Sequence, residues 1–218
     1  MEIKEAMAQR HSVRSYIDKP IEPETAETLS TLIDGYNKES GLHMQLVLNE
    51  PKAFGSSAAR YGKFKNVKNY IALIGRKGLA LEEFCGYYGE KIVLDAQAAG
   101  LNTCWVALTY KKVPDAYTVL PGEQLVLVIA LGYGEDQGVP HKSKKPEAVS
   151  NVSEETPEWF RAGVEAALLA PTAVNQQKFR FIYKDGTVEA KPGIGFYTNV
   201  DLGIAKCHFE IGSGRKMF

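Results

Sequence analysis

Cysteine is scarce in this chain and poorly spaced for pairing. The 218 residues hold three, Cys85, Cys104 and Cys207, an odd number with no C-x-x-C among them. That pattern argues against a disulfide framework and against a cysteine-ligated zinc site, and leaves reduced, buried thiols as the expectation. Net charge is absent as well. The 26 basic side chains balance 26 acidic ones, so no global field draws nucleic acid or a membrane surface, and any anion site has to be local. No stretch approaches the ~18 consecutive apolar residues that a membrane span needs. The opening MEIKEAMAQR is amphipathic and mixed in charge rather than basic and then apolar, which argues against a targeting segment and makes the cytoplasm the expected location.

What is present is the composition of an ordinary soluble globule, 44% hydrophobic and 24% charged. The length suits one large domain or two small lobes sharing a core. Ile3, Ala6 and Met7 recur at helical spacing and predict a short helix over 2–10. Pro23 suits a first helical turn, and Leu29, Leu32, Ile33 and Tyr36 form an apolar stripe that ends before Gly41. HMQLVLNEP reads as a strand closed by Pro51, and NYIALIG over 69–75 as a short buried strand. Residues 87–99 carry Ile92, Leu94, Ala96 and Ala99 in a helical pattern with Gly100 as the carboxyl cap. TCWVAL over 103–108 is a further strand, and QLVLVIALGYG over 124–134 suits a central strand covered on both faces.

From Gly134 to Thr156 the chain turns polar and proline-punctuated, as in a connection running over the surface. Thr156 as a cap and Pro157 in the first turn then begin a helix that Pro171 ends. A strand over 178–183 meets Asp185-Gly186, a strong hairpin signal, so 187–191 should pair back upon it. NVDLGIAKCHFEIG reads as a last helix ending at Gly212. The two parts share an order of capped helix, strand and later apolar helix ending in glycine, a weak internal repeat without much residue identity.

Chemistry concentrates in three stretches. In RHSVRSY, an extended run over 10–14 would turn Arg10, Ser12 and Arg14 to one side. Two guanidiniums and a hydroxyl at one point match the fork geometry of a phosphate, and a solvated basic turn is the other reading of the same residues. In HKSKKP, Lys142 and Lys144 could again share a side, although lysine-rich loops are commonly just solvated. In LAPTAVNQQKFRF, Asn175 and Gln177 offer donors and acceptors that suit the edge of a heterocycle, or that satisfy the backbone of the loop after Pro171. Gly132-Tyr-Gly134 with Gly138 faintly suggests a dinucleotide turn, but Pro140 and the lysine run oppose the helix such a turn must open. Cys207 and His208 are adjacent on a helix and so point about 100° apart, which rules them out as a facing nucleophile and base.

Taken together, RHSVRSY, GLNTCW, ALGYG followed by HKSKKP, and APTAVNQQKFRF resemble the landmarks of the FMN-dependent nitroreductase family over most of the chain. The resemblance implies that Arg10, Ser12 and Arg14, with His11 beside them, grip the FMN phosphate, and that Lys142 and Lys144 also reach it. It implies that Asn175, with Gln177 nearby, contacts the isoalloxazine ring, and that the backbone of Val106, Ala107 and Leu108 lies near the reactive flavin nitrogen. The A-P-S-x-x-N loop of typical members follows the first long helix, where this chain has GYNKESGLHMQ; here the motif comes after Pro171. Lys178 and Phe179 stand where the family has Pro-Trp.

This displacement resembles the variant group in which two shortened halves are fused into an internal pseudo-dimer. The implied fold is α+β: a nitroreductase-like sandwich with a mixed, mostly antiparallel sheet flanked by helices, in two unequal pseudo-repeated halves. Residues 1–150 would carry the phosphate site and 151–218 the asparagine loop, packed as one unit. The implied function is electron transfer from NADH or NADPH through FMN to a small-molecule acceptor such as a nitroaromatic or quinone, in ping-pong order. No partner subunit, nucleic acid, membrane or metal is expected, and no side chain is nominated as an acid or base. A flavin-binding sensor or store without turnover is the alternative.

Overall fold

Two apolar runs form the middle of a four-stranded sheet. In the computed structural model, which describes all 218 residues, β1 (Gln45–Val47), β2 (Asn69–Arg76), β3 (Asn102–Val106) and β4 (Glu123–Gly132) lie in the order β1-β2-β4-β3 with every pair antiparallel. Seven successive residues of β2 are buried, so both of its faces are covered, as its unbroken hydrophobicity requires. Ile71 faces Ile129 and Tyr70 faces Ala130, and a bulge breaks the register between Leu73 and Ile74. Parallel pairing occurs only at isolated bridges, among them Ser12 with Thr103 and Ser15 with Lys65.

The protein is thus an α+β chain with an antiparallel sheet and helices, and it divides into two units by contact. The first is Met1–Leu81 with Ile92–Val139, the second Glu82–Lys91 with Pro140–Phe218. Residues 140–150, read with the larger half from sequence, therefore belong with the smaller one. In the first unit, α1 (Ile3–Gln9) delivers the chain to the RHSVRSY run, and α2 (Pro23–Ser40) opens on Pro23 and closes on Gly41 at φ 72°. Leu29 and Ile33 are its buried stripe, and Tyr36 Oη donates to Asp95 Oδ2 at 3.0 Å. One core cluster of this unit joins Val13, Tyr16, Phe54, Phe64, Tyr70 and Val106.

Several boundaries differ from the sequence reading for identifiable reasons. The strand expected over 43–51 is reduced to β1, because the Asn37 side chain brackets Met44, accepting from its N–H and donating to its carbonyl, and Asn49 then turns at φ 55°. The strand expected over 103–108 stops at Val106. A single-turn helix, α3 (Ser57–Tyr61), is capped by the Ser56 side chain. The helix expected from residue 87 begins six residues earlier, as α4 (Leu81–Ala98). Gly86 interrupts its pattern, and the reason for that glycine lies in packing described below. Within the polar connection, α5 (Pro146–Val149) makes one turn. Thr156 is not a cap: its hydroxyl donates to Ser153 O, and Pro157 stands at the N-cap of α6 (Glu158–Ala167).

The second unit contains α5, α6, the hairpin of β5 (Phe179–Lys184) and β6 (Thr187–Pro192), α7 (Thr198–Ser213) and residues 82–91 of α4. Asp185 and Gly186, at φ 49° and 81°, make the expected two-residue turn between Lys184 and Thr187. Glycine lets α7 approach its neighbours at backbone distance. A Cβ on Gly203 would stand 2.0 Å from Glu83 O, and one on Gly86 would stand 2.1 Å from Val200 O. Gly212 meets Ala162 O and the Ala166 side chain in the same way, which is why the helix runs through it and closes instead on Gly214, at φ 68°.

His208, fully buried on α7, completes the join. It bonds Glu90 Oε1 through Nε2 at 2.8 Å and Ala166 O through Nδ1 at 3.2 Å. Only a donor can bond a carbonyl, so Nδ1 carries a proton, and a second proton sits between Nε2 and the Glu90 carboxyl. Cys207 is therefore next to a histidine already committed to α4 and α6. These contacts set the order of two substitutions. Gly203→Ala should destabilise the protein by about 2–3 kcal/mol, because backbone meets backbone and neither can yield. Gly35→Ala, exposed within α2 with nothing within 4 Å of the new Cβ, should stabilise it by about 0.5–1 kcal/mol. Urea unfolding of both variants checks the pair.

Candidate functional site

In the first unit the cationic segment is extended, as its alternation requires. Ser12 bridges Thr103 in parallel, Val13 N–H donates to Thr103 O at 3.0 Å, and Lys65 N–H donates to Arg14 O at 3.0 Å. Burial raises the pKa of the Cys104 thiol, while the Arg14 guanidinium, a hydrogen bond with Ser12 and the Arg10 guanidinium pull it down. The bridge of Ser12 to Thr103 and the alternation of an extended chain turn Arg10, Ser12 and Arg14 to one side. Arg14 is exposed, Ser12 half-buried, and Arg10 only 3% exposed, with a buried Nε that makes no hydrogen bond. His11 lies against Gly138, at φ 68°, where an added Cβ would stand 2.8 Å from the His11 Cβ.

The residues expected beside the flavin nitrogen continue β3 out of the sheet. Val106 is its buried last residue, Ala107 is half-buried, and Leu108 is 74% exposed in a bend. The thiols nearby and elsewhere are not nucleophiles. All three cysteines are buried, none forms a disulfide, and burial pushes Cys85 up to about 12.

In the second unit the basic strap and the asparagine loop are laced together. Lys142 O accepts from Asn175 Nδ2 at 2.9 Å and from Gln177 Nε2 at 2.8 Å, and Lys144 N–H donates to Gln177 Oε1 at 2.8 Å. Lys144 Nζ donates to the carbonyls of Gln176 and Gln177, at 2.7 and 3.0 Å. Two of its three ammonium hydrogens thus brace the loop. Gln177 is 2% exposed, and its second amide hydrogen goes to Asn175 Oδ1 at 2.7 Å. That geometry makes Gln177 a support for Asn175. Asn175 is exposed and keeps one amide hydrogen and one lone pair beyond these bonds. Lys142 is exposed as well.

The loop is held in conformations that side chains rarely adopt. Val174, Asn175 and Gln177 have φ of 44°, 55° and 45°, and a β-branched residue with positive φ is an outlier that persists only where surrounding bonds over-determine it. The bonds are identifiable. Gln177 N–H donates to Thr172 Oγ1 at 3.0 Å, Ala173 N–H to Asp201 Oδ1 at 2.9 Å, and Gln176 Nε2 to Asp201 Oδ2 at 2.7 Å and Phe196 O at 2.9 Å. Asp201, 2% exposed on the first turn of α7, was not singled out from sequence. Its signal there was a lone carboxylate inside the apolar run VDLGIA.

The antiparallel sheet with helices is the fold of the nitroreductase class. A family model described as "Putative TM nitroreductase" matches residues 2–213, and the chain belongs to that family. A Thermotoga maritima protein, also described as a putative nitroreductase, is 25% identical, with a TM-score of 0.69 over 97% of this chain and 83% of its own. Two further likenesses show the fold alone. A nitroreductase family protein of Streptococcus pneumoniae is 15% identical, with a TM-score of 0.53 over 68% of this chain and 98% of its own. A nitroreductase of Bacillus subtilis is 12% identical, with a TM-score of 0.55 over 71% and 74%. A search of curated proteins gave no match. Family and fold together support a flavin-dependent oxidoreductase in general terms. No helix is long and apolar enough to cross a membrane.

Burial raises the Asp201 carboxyl to about 6 from its ordinary 3.8, against the lowering effect of its bonds from Ala173 and Gln176. The folded state then binds this proton more tightly than the unfolded chain does. The resulting stabilisation is complete below pH ~3.8 and is lost as pH rises through ~6. Relative to Asp201→Asn, the unsubstituted protein should lose on the order of 2 kcal/mol between pH 4 and 7. Urea unfolding of both proteins at the two pH values measures this, and a difference that stays constant contradicts it.

Proposed function

We propose that this chain is an FMN-dependent oxidoreductase that takes electrons from NADH or NADPH and passes them in ping-pong order to a small-molecule acceptor such as a nitroaromatic or a quinone. The observation that carries this reading is the extended run of residues 10–14 beside β3, bridged at Ser12 to Thr103 and bonded from Val13 N–H to Thr103 O, in which Arg10, Ser12 and Arg14 alternate to one side. Two guanidiniums and a hydroxyl suit a phosphate monoester, and RHSVRSY contains no carboxylate to repel it. The donor set of the second unit suits a heterocycle edge, because Asn175 retains one donor and one acceptor.

When bound, FMN supplies the ring nitrogen that accepts a hydride and the redox chemistry that follows. The chain's own residues bind and orient. Arg10, Ser12 and Arg14 would hold the phosphate with His11 beside them, Lys142 would add a third cation, and Asn175 would meet the ring edge. Lys144 and Gln177 would fix the loop that presents Asn175, and Val106, Ala107 and Leu108 would supply backbone near the reactive nitrogen. The fused-halves variant that the sequence resembles implies one flavin per chain without a partner subunit.

Arg14→Ala, at an exposed position, should weaken FMN binding by about 1.5–3 kcal/mol, roughly 10- to 150-fold, if the guanidinium makes a charge-assisted bond to phosphate. Calorimetric titration of FMN measures this, and an affinity unchanged in both Arg14→Ala and Arg10→Ala removes the phosphate assignment. Steady NADH or NADPH oxidation with a quinone supports turnover. Tightly bound flavin that neither nucleotide reduces would instead make the protein a flavin sensor or store.

A further inference from the structure

Asp201 is buried, lies outside every motif of the flavin resemblance, and holds two strained segments at once. One oxygen accepts from the backbone of Ala173, and the other accepts from Gln176 Nε2, which also donates to Phe196 O. Ala173 and Gln176 flank the left-handed pair Val174 and Asn175, and Phe196 precedes Tyr197, itself at φ 56° as the N-cap of α7. A charged acceptor makes stronger bonds than a neutral one, and the cost of three left-handed residues in four positions has to be met by such bonds.

The backbone of Gly195 runs close by, since a Cβ there would stand 2.7 Å from Gln176 Oε1. The Gln176 amide is held through Nε2, which donates to Asp201 Oδ2 and Phe196 O. Lys144 Nζ also holds the carbonyls of Gln176 and Gln177. Asn175 thus sits on a loop held by both a buried carboxylate and a cation, and its own side chain is left with hydrogen-bonding capacity for a ligand.

We infer that Asp201 is a positioning residue: acting through Ala173 and Gln176, it sets the backbone shape that presents the Asn175 amide to the flavin ring, an inference that rests on the flavin reading above. It touches neither cofactor nor substrate. Its removal changes the orientation of Asn175 while leaving the cationic segment of residues 10–14 intact.

The test compares the unsubstituted protein with Asp201→Ala, Asp201→Asn and Gln176→Ala by FMN titration, visible circular dichroism of the bound flavin, and amide hydrogen exchange. Asp201→Ala should accelerate exchange at residues 173–177 but not at 209–213, raise the FMN dissociation constant at least tenfold and change the dichroism of bound flavin. Asp201→Asn should recover part of each effect, because its carbonyl can still accept from Ala173. Gln176→Ala, which leaves the carboxyl in place, should reproduce the flavin effects if Asp201→Ala fails to fold. Loop exchange that rises while flavin affinity and dichroism stay unchanged overturns the positioning role, as does exchange that rises equally throughout α7. An unsubstituted protein that takes up no FMN refutes the flavin reading itself, and the positioning inference with it.

Discussion

The backbone-to-backbone approach of α4 and α7 in the second unit depends on two glycines facing each other's helix. A methyl group on either Gly86 or Gly203 would stand at about 2 Å from a carbonyl oxygen of the other helix, so the separation exists only because both side chains are absent. At that separation His208 reaches Glu90, Lys206 pairs with Glu83, and Asn199 donates to Glu82. The helix is fixed along its length, and its first turn carries Asp201. A loop that no local propensity would form thereby acquires a rigid anchor.

This dependence separates two kinds of residue in the asparagine loop. Asn175 is exposed and retains hydrogen-bonding capacity, whereas Gln176, Gln177 and Asp201 are occupied within the fold. Lys144 belongs with the second group through its bonds to two carbonyls, although one of its hydrogens remains for a ligand. Precise ligand contacts need supporting bonds of this kind, since a side chain on an unsupported loop is too loosely placed to orient a ring. In the first unit the support comes from the sheet: the bridge of Ser12 to Thr103 spaces Arg10, Ser12 and Arg14 along an edge next to β3.

Much of this architecture is legible in the residues. β2 and β4 announce themselves because strands buried on both faces are apolar throughout, and Asp185-Gly186 announces its hairpin because few other pairs tolerate two positive φ angles. The alternation of Arg10, Ser12 and Arg14 foretells a shared side because a strand has a period of two. The start of α4 is not legible, since Gly86 lowers helix propensity for the sake of a neighbour far along the chain. Asp201 is hidden for a related reason. An acidic residue in a first helical turn has a sufficient local explanation in the helix dipole, and its bonds to Ala173 and Gln176 come from 28 and 25 positions away. Lys144 shows the converse: its spacing from Lys142 suggests an anion, and its ammonium is found on backbone carbonyls.

The proposal at the centre of this account is that the chain binds FMN without a partner subunit. The most direct measurement is light scattering coupled to flavin absorbance on protein titrated with FMN. The account predicts one equivalent of flavin per chain, retained in the fraction whose mass is that of a single chain. Protein that retains no flavin, or that holds it only in fractions containing two chains, would contradict it.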